Sequence, residues 1–460
     1  MKNVNIDFIL KATAGKLKGK KNDIEVQSIC LDSRQAKEGA LFVPIVGEKV
    51  DAHDFIKKVY ESGIRVSLSE REDIEVPEDM SIILVQNSVK ALQDIAKAYR
   101  EGINIPIVAI TGSVGKTTTK EMISLAISAQ KKVYKTPANQ NSQVGVPKTV
   151  LESDLSADVI VIEMGISEFS EMHRISEIVK ADVAVVNNIG VAHIQNFGSR
   201  ESIRDEKLHI IDGMKERAKL FLNAEDDMLA GAKLSKKMDV EYFAMSDTGL
   251  SQNYASHIEL VDSCPKFRAH IGGEEVAVEL NIQGMHQVLN AVIALTVAKL
   301  YGVDLKSASK KLSEFRGFRH RQEIIKYKGI TIIDDSYNAS PDSMRAALLI
   351  LKDMKAKRKI AVLADMRELG EDEVNLHRQI AQFIKENACV DLLLTYGELA
   401  KNIHDYVREH FSVCEALHFD DKAELDTFLK KTVAAEDVVL FKGSNSMKLF
   451  DSVDYITDRK

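Results

Sequence analysis

The chain has few of the features that mark secreted, membrane-spanning or nucleic-acid-binding proteins. Four cysteines occur in 460 residues. Cys30, Cys264, Cys389 and Cys414 lie far apart and form no C-x-x-C pair, so neither a zinc site nor a disulfide framework is expected. A reducing compartment follows. No apolar run is long enough to span a bilayer, and the opening MKNVNIDFILKATAGK has neither a sustained apolar core nor a small-residue cleavage site. A soluble cytoplasmic protein is therefore expected. Positive charge is not in excess either: 62 Lys and Arg stand against 69 Asp and Glu, a net charge of −7. That balance gives no general electrostatic reason to bind nucleic acid or an anionic membrane. The lysine clusters KLKGKK (residues 16–21) and KDMKAKRK (residues 352–359) are short, lie beside expected turns and read as solvated. There is no internal repeat, no low-complexity linker and no serine or cysteine triad signature.

What is present is an alternation of strands and helices, and 45% hydrophobic residues are ample for several cores. The first hundred residues alternate SICLDSR, GALFVPIVG and SIILVQN with helical DAHDFIKKVYESG and SVKALQDIAKAYREG. Gly102 stops that helix and Pro106 opens the next strand. DVIVIEMG and ADVAVVNNIG are nearly continuous apolar runs that end in polar residues. Such runs suit parallel strands buried on both faces, whose carboxyl ends line a ligand crevice. A strand-rich stretch, ASHIELVDSCPKFRAHIGGEEVAVELNIQG, then interrupts the alternation before the helix HQVLNAVIALTVAKLYGV. A third α/β unit follows EFRGFRHRQEI, with strands ITIIDDS, KIAVLAD, VDLLLTYG and DVVLFKG.

The stretch VAITGSVGKTTTKEMI (residues 108–123) reads as strand, glycine-rich turn and helix. Gly112 and Gly115 allow several N–H groups to converge on one anion. Lys116 supplies a point charge for terminal phosphates, and the Thr117 hydroxyl can hold Mg²⁺ at the mouth of the helix. The usual spacing asks for a first glycine where Ile110 stands, so an ordinary strand-to-helix turn is the plain alternative. Glu163, at the end of VIVIE, can bind Mg²⁺ directly or through water, or simply face solvent. His193, in NNIGVAHI, is a metal ligand or a hydrogen-bonded loop residue.

The ordered segments TGSVGKTTTKE, NQNSQVGVP, IEMGISEFSEMHRI, VVNNIGVAHIQNFGSRESIRDEKLHI, GMHQVLNAVIAL and IIDDSYNASPDSM together resemble the Mur ligase family. DSRQAKEGALFVPIVGEKVDAHDF resembles its uridine-nucleotide-binding first domain, and LADMRELGE with LFKGSNSM resembles its last. The resemblance implies an α/β fold of three domains. A small α/β domain (residues 1–103) binds the UDP-muramoyl peptide. A central P-loop domain with a parallel sheet (residues 104–316) binds ATP, and a Rossmann-like domain (residues 317–460) contacts the dipeptide and nucleotide.

It further implies that Thr111, Gly112, Ser113, Val114, Gly115, Lys116, Thr117 and Thr118 hold the ATP phosphates. Thr117 and Glu163 would serve one Mg²⁺, with His193 and a carbamylated Lys207 serving a second. Without the resemblance, Lys207 reads as an exposed helix lysine. His286 and Asn290 would face the adenine, and Arg321, Asp335 and Asn338 would reach the nucleotide from the third domain, with Arg319 as a neighbouring alternative to Arg321. Ser33 and Arg34 are candidates for the uridine end, and Asn141 for a substrate contact. Two departures stand out: Ser142 follows Asn141 where a second asparagine is expected, and Asn445 replaces an expected basic residue.

The implied activity is ATP-dependent peptide ligation. A UDP-N-acetylmuramoyl-tripeptide would be activated as an acyl phosphate and attacked by D-alanyl-D-alanine, in a cytoplasmic monomer making peptidoglycan precursor. The preceding ligase of the family, which adds a diamino acid, carries Asp-Asn-Pro-Arg in its third domain, and that tetrapeptide is absent here. Folylpolyglutamate synthetase has its phosphate loop near the N-terminus, whereas a whole domain precedes the loop in this chain. A nucleotide switch or a non-catalytic relative is the alternative of another class. A GTPase would show Asn-Lys-x-Asp, and the chain contains no Asn-Lys pair.

Overall fold

The computed structural model describes residues 1–410 and 414–459. Three sheets follow one another along the chain. The first contains β1 (Lys16–Gly19), β2 (Ser28–Cys30), β3 (Ala40–Phe42), β4 (Val66–Ser69) and β5 (Ser81–Leu84), in the order β1-β5-β4-β3-β2. All pairs are parallel except β1 with β5. The KLKG cluster, read from the sequence as a solvated segment beside a turn, is thus an antiparallel edge strand. Lysines on an edge are a common guard against pairing with another chain.

The central sheet holds β6 (Ile107–Thr111), β7 (Val133–Lys135), β8 (Val159–Glu163), β9 (Val183–Val186), β10 (Lys219–Asn223), β11 (Asp239–Phe243), β12 (Asn253–Val261), β13 (Cys264–Ile271) and β14 (Glu274–Glu279). Its order is β14-β13-β12-β11-β10-β9-β6-β8-β7. The strands from β7 to β11 are parallel, and β12 to β14 extend the sheet as an antiparallel meander. Because β6 lies between β8 and β9, the order reverses at β6, and the crevice at such a reversal is where open α/β sheets bind ligands. The apolar runs behave as buried parallel strands should. Ile160 and Ile162 pack into one core and Val159 and Val161 into the other, so both sheet faces are covered.

The third sheet is β15 (Glu323–Tyr327), β16 (Ile330–Asp334), β17 (Arg358–Ala364), β18 (Leu392–Tyr396), β19 (Glu415–Phe419) and β20 (Asp437–Lys442), in the order β15-β16-β20-β17-β18-β19. Only β15 is antiparallel to its neighbour.

The first and central regions share one hydrophobic core that runs from Val4 and Leu41 through Leu92 and Val150 to Ile162 and Ile211. Burial of that continuous surface, at about 25 cal/mol per Å² of apolar area, ties the two sheets together. Packing is tight where the helix Glu171–Val179 meets the turn after Ile211. A Cβ on Gly213 would fall on the Ser176 carbonyl group. Gly213→Ala is therefore expected to destabilise the protein by about 3 kcal/mol through overpacking. Urea unfolding measures this, and an unchanged midpoint would show that the helix moves aside freely. No helix among the described residues is long and apolar enough to cross a membrane.

Candidate active site

The phosphate-loop motif sits at the switch point. Ile110, where the usual spacing calls for glycine, is still in β6 and pairs with Glu163 and Val185, so the loop starts later, at Gly112. Gly115 caps the helix Lys116–Ile127 at φ 81°, a left-handed conformation that suits glycine. Among the described residues, no backbone carbonyl accepts the N–H of Gly115, Lys116, Thr117 or Thr118. Open donors of this kind at a helix N-terminus suit an anion. The upstream half of the loop is already satisfied: Asn188 Oδ1 accepts from Ser113 N at 3.0 Å and Val114 N at 2.8 Å. Thr111 Oγ1 donates to Met164 O at 2.8 Å. Lys116 Nζ folds back on Gly112 O (2.8 Å) and Ser113 O (3.3 Å). Burial lowers the Lys116 amine from its ordinary range, with Glu163 opposing and Arg321 reinforcing the shift.

Beside the loop, Glu163 is 1% exposed. Its Oε1 accepts from Thr117 Oγ1 at 3.0 Å and from Asn141 Nδ2 at 2.7 Å. Among the described residues its Oε2 accepts no hydrogen bond, and it lies 3.7 Å from Lys120 Nζ. A buried carboxylate oxygen without a donor, next to a threonine hydroxyl at the mouth of an anion site, fits a hard divalent cation. His193, at φ 62°, contacts Glu368 of the third region through Nδ1, and among the described residues its Nε2 has no hydrogen-bond partner. Burial lowers its basicity, while Glu368 opposes that shift.

Lys207 corrects the plain reading of the sequence. It is not an exposed helix lysine but 2% exposed, near the C-terminal end of the helix Arg200–Leu208. Among the described residues its amine has no hydrogen-bond or ion-pair partner. The adjacent Glu206 carboxylate is committed to Ser170 N and Met172 N, both at 2.9 Å. Burial, reinforced by nearby Lys116, pushes the Lys207 amine well below the usual lysine range.

From the other side of the crevice, Arg321 stacks on the Tyr337 ring at 3.8 Å, and the Tyr337 hydroxyl accepts from Asn139 Nδ2 at 2.9 Å. Arg319 instead turns outward to Asp454 at 3.3 Å. Asp335 is held by Lys442 at 2.5 Å and by Gln322 N at 3.2 Å. Asn338 offers its carbonyl to Lys442 at 3.1 Å while its side chain is exposed. Asn290 is buried in a relay behind the loop: Asn187 Nδ2 donates to Thr119 Oγ1 (2.6 Å), Thr119 Oγ1 to Asn290 Oδ1 (2.9 Å), and Asn290 Nδ2 to Gln287 Oε1 (3.0 Å). His286 Nε2 accepts from the Gln287 and Gln322 amides at 3.0 Å each. These contacts join the central region to the third.

Three family models match in sequence: the Mur ligase family catalytic domain at residues 25–100, the Mur ligase middle domain at 110–298 and the Mur ligase glutamate ligase domain at 320–445. The chain belongs to the Mur ligase family. The UDP-N-acetylmuramoyl-tripeptide–D-alanyl-D-alanine ligase of Bacillus subtilis is 34% identical over 430 residues, covering 93% of this chain and 92% of the relative. The Escherichia coli ligase of the same name is 30% identical over 460 residues, covering 98% of both. Among solved structures, MurF from Acinetobacter baumannii superposes with a TM-score of 0.88 at 28% identity, over 99% of this chain and 98% of that one. MurF from Thermotoga maritima, in complex with ADP, gives 0.82 at 26% identity, over 95% and 99%.

Within this Mur ligase, Ser33 and Arg34 lie apart from the phosphate loop, in the 3₁₀ turn after β2. Arg34 is exposed and forks onto Asp32 at 2.6–3.1 Å, which holds that carboxyl down at about 2. Ser142, the departure beside Asn141, accepts from Gly145 N at 3.3 Å and so helps start the helix Gly145–Leu151. Two residues of the site escaped the sequence reading. Lys120, fully buried, bonds to Thr136 O at 2.9 Å and faces Glu163. Its position one helical turn after Lys116 was the available signal. Asn188, which braces the loop, stands in the polar end of ADVAVVNNIG.

Proposed function

We propose that this chain is a UDP-N-acetylmuramoyl-tripeptide–D-alanyl-D-alanine ligase, forming the pentapeptide precursor of peptidoglycan with ADP and phosphate as products. The observation that carries the reading is the phosphate loop with a buried acid, Glu163, and a buried, unpaired lysine, Lys207, beside it. It is joined by full-length similarity to ligases of that name. Nothing in this arrangement offers a protein nucleophile, and none is needed. A carboxylate oxygen of the tripeptide attacks the γ-phosphorus of ATP, the bond to ADP breaks, and an acyl phosphate forms. The dipeptide amine then attacks the acyl carbon, losing a proton as phosphate leaves.

Each group has a part in that sequence. The open N–H groups of residues 115–118 and the Lys116 ammonium balance the charge of the phosphates, which otherwise repel the attacking carboxylate. Thr117 and Glu163 would hold one Mg²⁺, and His193 with a carbamylated Lys207 a second. Bound there, the ions supply further charge neutralisation at the transferring phosphoryl group. Arg321, Asp335 and Asn338 would approach the nucleotide from the third sheet. Asn290 and His286 would bound the adenine side, and Ser33 and Arg34 the uridine end. Asn141, bonded to Glu163, would meet the peptide substrate. All these groups come from one chain, and we infer a cytoplasmic monomer.

The test is coupled phosphate release. Turnover is expected only when ATP, Mg²⁺, the UDP-tripeptide and D-alanyl-D-alanine are all present. Release without the dipeptide, or with a diamino acid in its place on a UDP-dipeptide, would reject this assignment in favour of another member of the family.

A further inference from the structure

Outside the cleft, two helical elements bring three metal-binding side chains to one point of the surface. His173 lies on the helix Glu171–Val179, His209 opens the 3₁₀ turn His209–Ile211 that follows the helix Arg200–Leu208, and Asp212 closes that turn. Asp212 Oδ2 lies 2.7 Å from His173 Nδ1 and 2.8 Å from His209 Nδ1. The two imidazole rings stand nearly perpendicular, at 85°. Their side chains are half exposed, whereas that of Asp212 is 18% exposed. Among the described residues neither Nε2 nor Asp212 Oδ1 has a hydrogen-bond partner. The backbone beneath is fixed, since Asp212 N donates to His209 O at 3.0 Å. Lys236 donates to the carbonyls of Asp212 and Met214 rather than to the carboxylate. His209 stands two residues after the buried Lys207 but reaches solvent, so the cluster is separate from the cation ligands of the cleft.

Two imidazole nitrogens and a carboxylate oxygen, all within 4.8 Å of one another, suit a borderline transition-metal dication. Zn²⁺, with bonds of about 2.0–2.1 Å, sets tetrahedral ligand atoms about 3.4 Å apart. Small rotations of two half-exposed imidazoles therefore close the set around an ion, with water in the fourth position. Mg²⁺ competes poorly here, because it prefers oxygen ligands and keeps its own waters. Among the described residues one further cluster offers three such groups, His320, Glu323 and Asp334. There Arg459 already pairs with Glu323 at 3.0 Å, and Ser336 donates to Asp334. No lysine or arginine side chain among the described residues pairs with Asp212.

We propose that His173, His209 and Asp212 form a surface site for Zn²⁺, and that the bound ion clamps the segment carrying Lys207 to the helix Glu171–Val179. Glu206 already ties the two together by accepting from Ser170 N and Met172 N. The ion adds a second tie, one made between side chains on elements whose backbones are already packed, which is where a metal site is held most firmly. Each imidazole binds through Nδ1 and keeps its ring proton on Nε2, and the carboxylate offsets one of the two positive charges. Neither nucleotide nor peptide substrate takes part, so the proposal is independent of the ligase reading.

Titration of the chelator-treated full chain, free of any histidine tag, with Zn²⁺ against a colorimetric zinc competitor tests this. Excess Mg²⁺ in the buffer fills the oxygen-rich positions of the cleft. The wild-type chain is expected to bind one Zn²⁺, and the ion should raise the midpoint of its thermal unfolding. His173→Ala and His209→Ala should each weaken binding by about 30-fold or more, and Asp212→Asn by about tenfold, since even groups that only support a metal ligand are worth about 10–100-fold. Both histidines are half exposed, so the alanine variants should fold; His173→Gln and His209→Gln, which keep more of the side chain, should show the same loss. Equal Zn²⁺ affinity in wild type and the His173→Ala/His209→Ala double variant, or no Zn²⁺ retained by wild type, would overturn the site and leave Asp212 a hydrogen-bond acceptor for two imidazoles. Zn²⁺ bound with no rise in the unfolding midpoint would overturn the clamp.

Discussion

Lys116→Ala is expected to lower kcat for ligation about a thousandfold, roughly 4 kcal/mol of transition-state stabilisation, with little change in thermal stability. The stability expectation follows from its contacts. Among the described residues Lys116 Nζ bonds only to carbonyls of its own loop, Gly112 and Ser113. The kinetic expectation follows from its place, since it is the side-chain cation at the edge of a cluster of open backbone donors that suits an anion. Those donors bind ground-state phosphate and transition state alike, so ATP binding should weaken far less than turnover. A second consequence is local. Lys116 is one of the charges that hold the Lys207 amine down, so its removal should make Lys207 easier to protonate and harder to carbamylate. Single-turnover kinetics and scanning fluorimetry together check these points. A kcat within a few-fold of wild type would remove Lys116 from the chemistry.

The features of the fold and site that were legible in the sequence are those set by neighbours in the chain. The phosphate loop is one, because two glycines and the helix start lie within a few residues of one another. The buried runs of β6, β8 and β9 are another, because being covered on both faces removes the polar alternation a half-exposed strand would show. Short strands without such a run went unread: Val66–Ser69 and Glu415–Phe419, whose partners lie beyond an intervening helix or loop, and Glu323–Tyr327, which pairs in a hairpin with the adjacent Ile330–Asp334. The same division runs through the site. Glu163 is visible as a strand-end acid. Its partner Lys120 is not, since a lysine on a helix looks solvated until Thr136 and Ala138 are folded over it. Asn290 was read as facing a base. In the folded chain its amide is tied on both sides, to Thr119 and Gln287, so any contact with the nucleotide must be made while it also braces the helix behind the loop.

Nor does the sequence show that the third sheet meets the loop through named contacts. Tyr337, which carries Arg321 on its ring, against Asn139, and Glu368 against His193, each join residues more than a hundred positions apart. These contacts are polar and sit at the rim of the cleft, with Val191 adding an apolar contact to the core of the third sheet. The first and central sheets are different, since one apolar core runs through both. A boundary held by polar rim contacts opens at lower cost than one held by a shared core, so the third sheet is expected to move when substrates enter, and small-angle scattering of apo and fully liganded protein should then show compaction.

Lys207→Ala should nearly abolish ligation, by about a thousandfold or more, while ATP binding and the fold persist. The physical reason begins with burial. A lysine with 2% exposure and no counter-charge in contact pays a desolvation cost as an ammonium, and Lys116 adds repulsion, so the neutral amine is favoured. A neutral amine reacts with CO₂: the nitrogen attacks the carbon, one N–H proton is released, and the product is a carbamate anion. That conversion exchanges a cation repelled by Lys116 for an anion attracted to it, and creates an oxygen ligand where divalent ions are to be held. An inert buried lysine would behave otherwise. Its truncation would leave a small cavity and lower stability by about 1–2 kcal/mol, with kcat close to wild type. Three measurements separate the cases: turnover of Lys207→Ala, its partial rescue by a short carboxylic acid filling the vacated space, and the response of wild-type enzyme to CO₂-depleted buffer followed by bicarbonate. Loss of activity on depletion and its return with bicarbonate are expected for wild type and not for the variant. Wild-type turnover in Lys207→Ala would sink the carbamate assignment but not the ligase reading, because the phosphate loop, Glu163 and the family relationship do not depend on that amine.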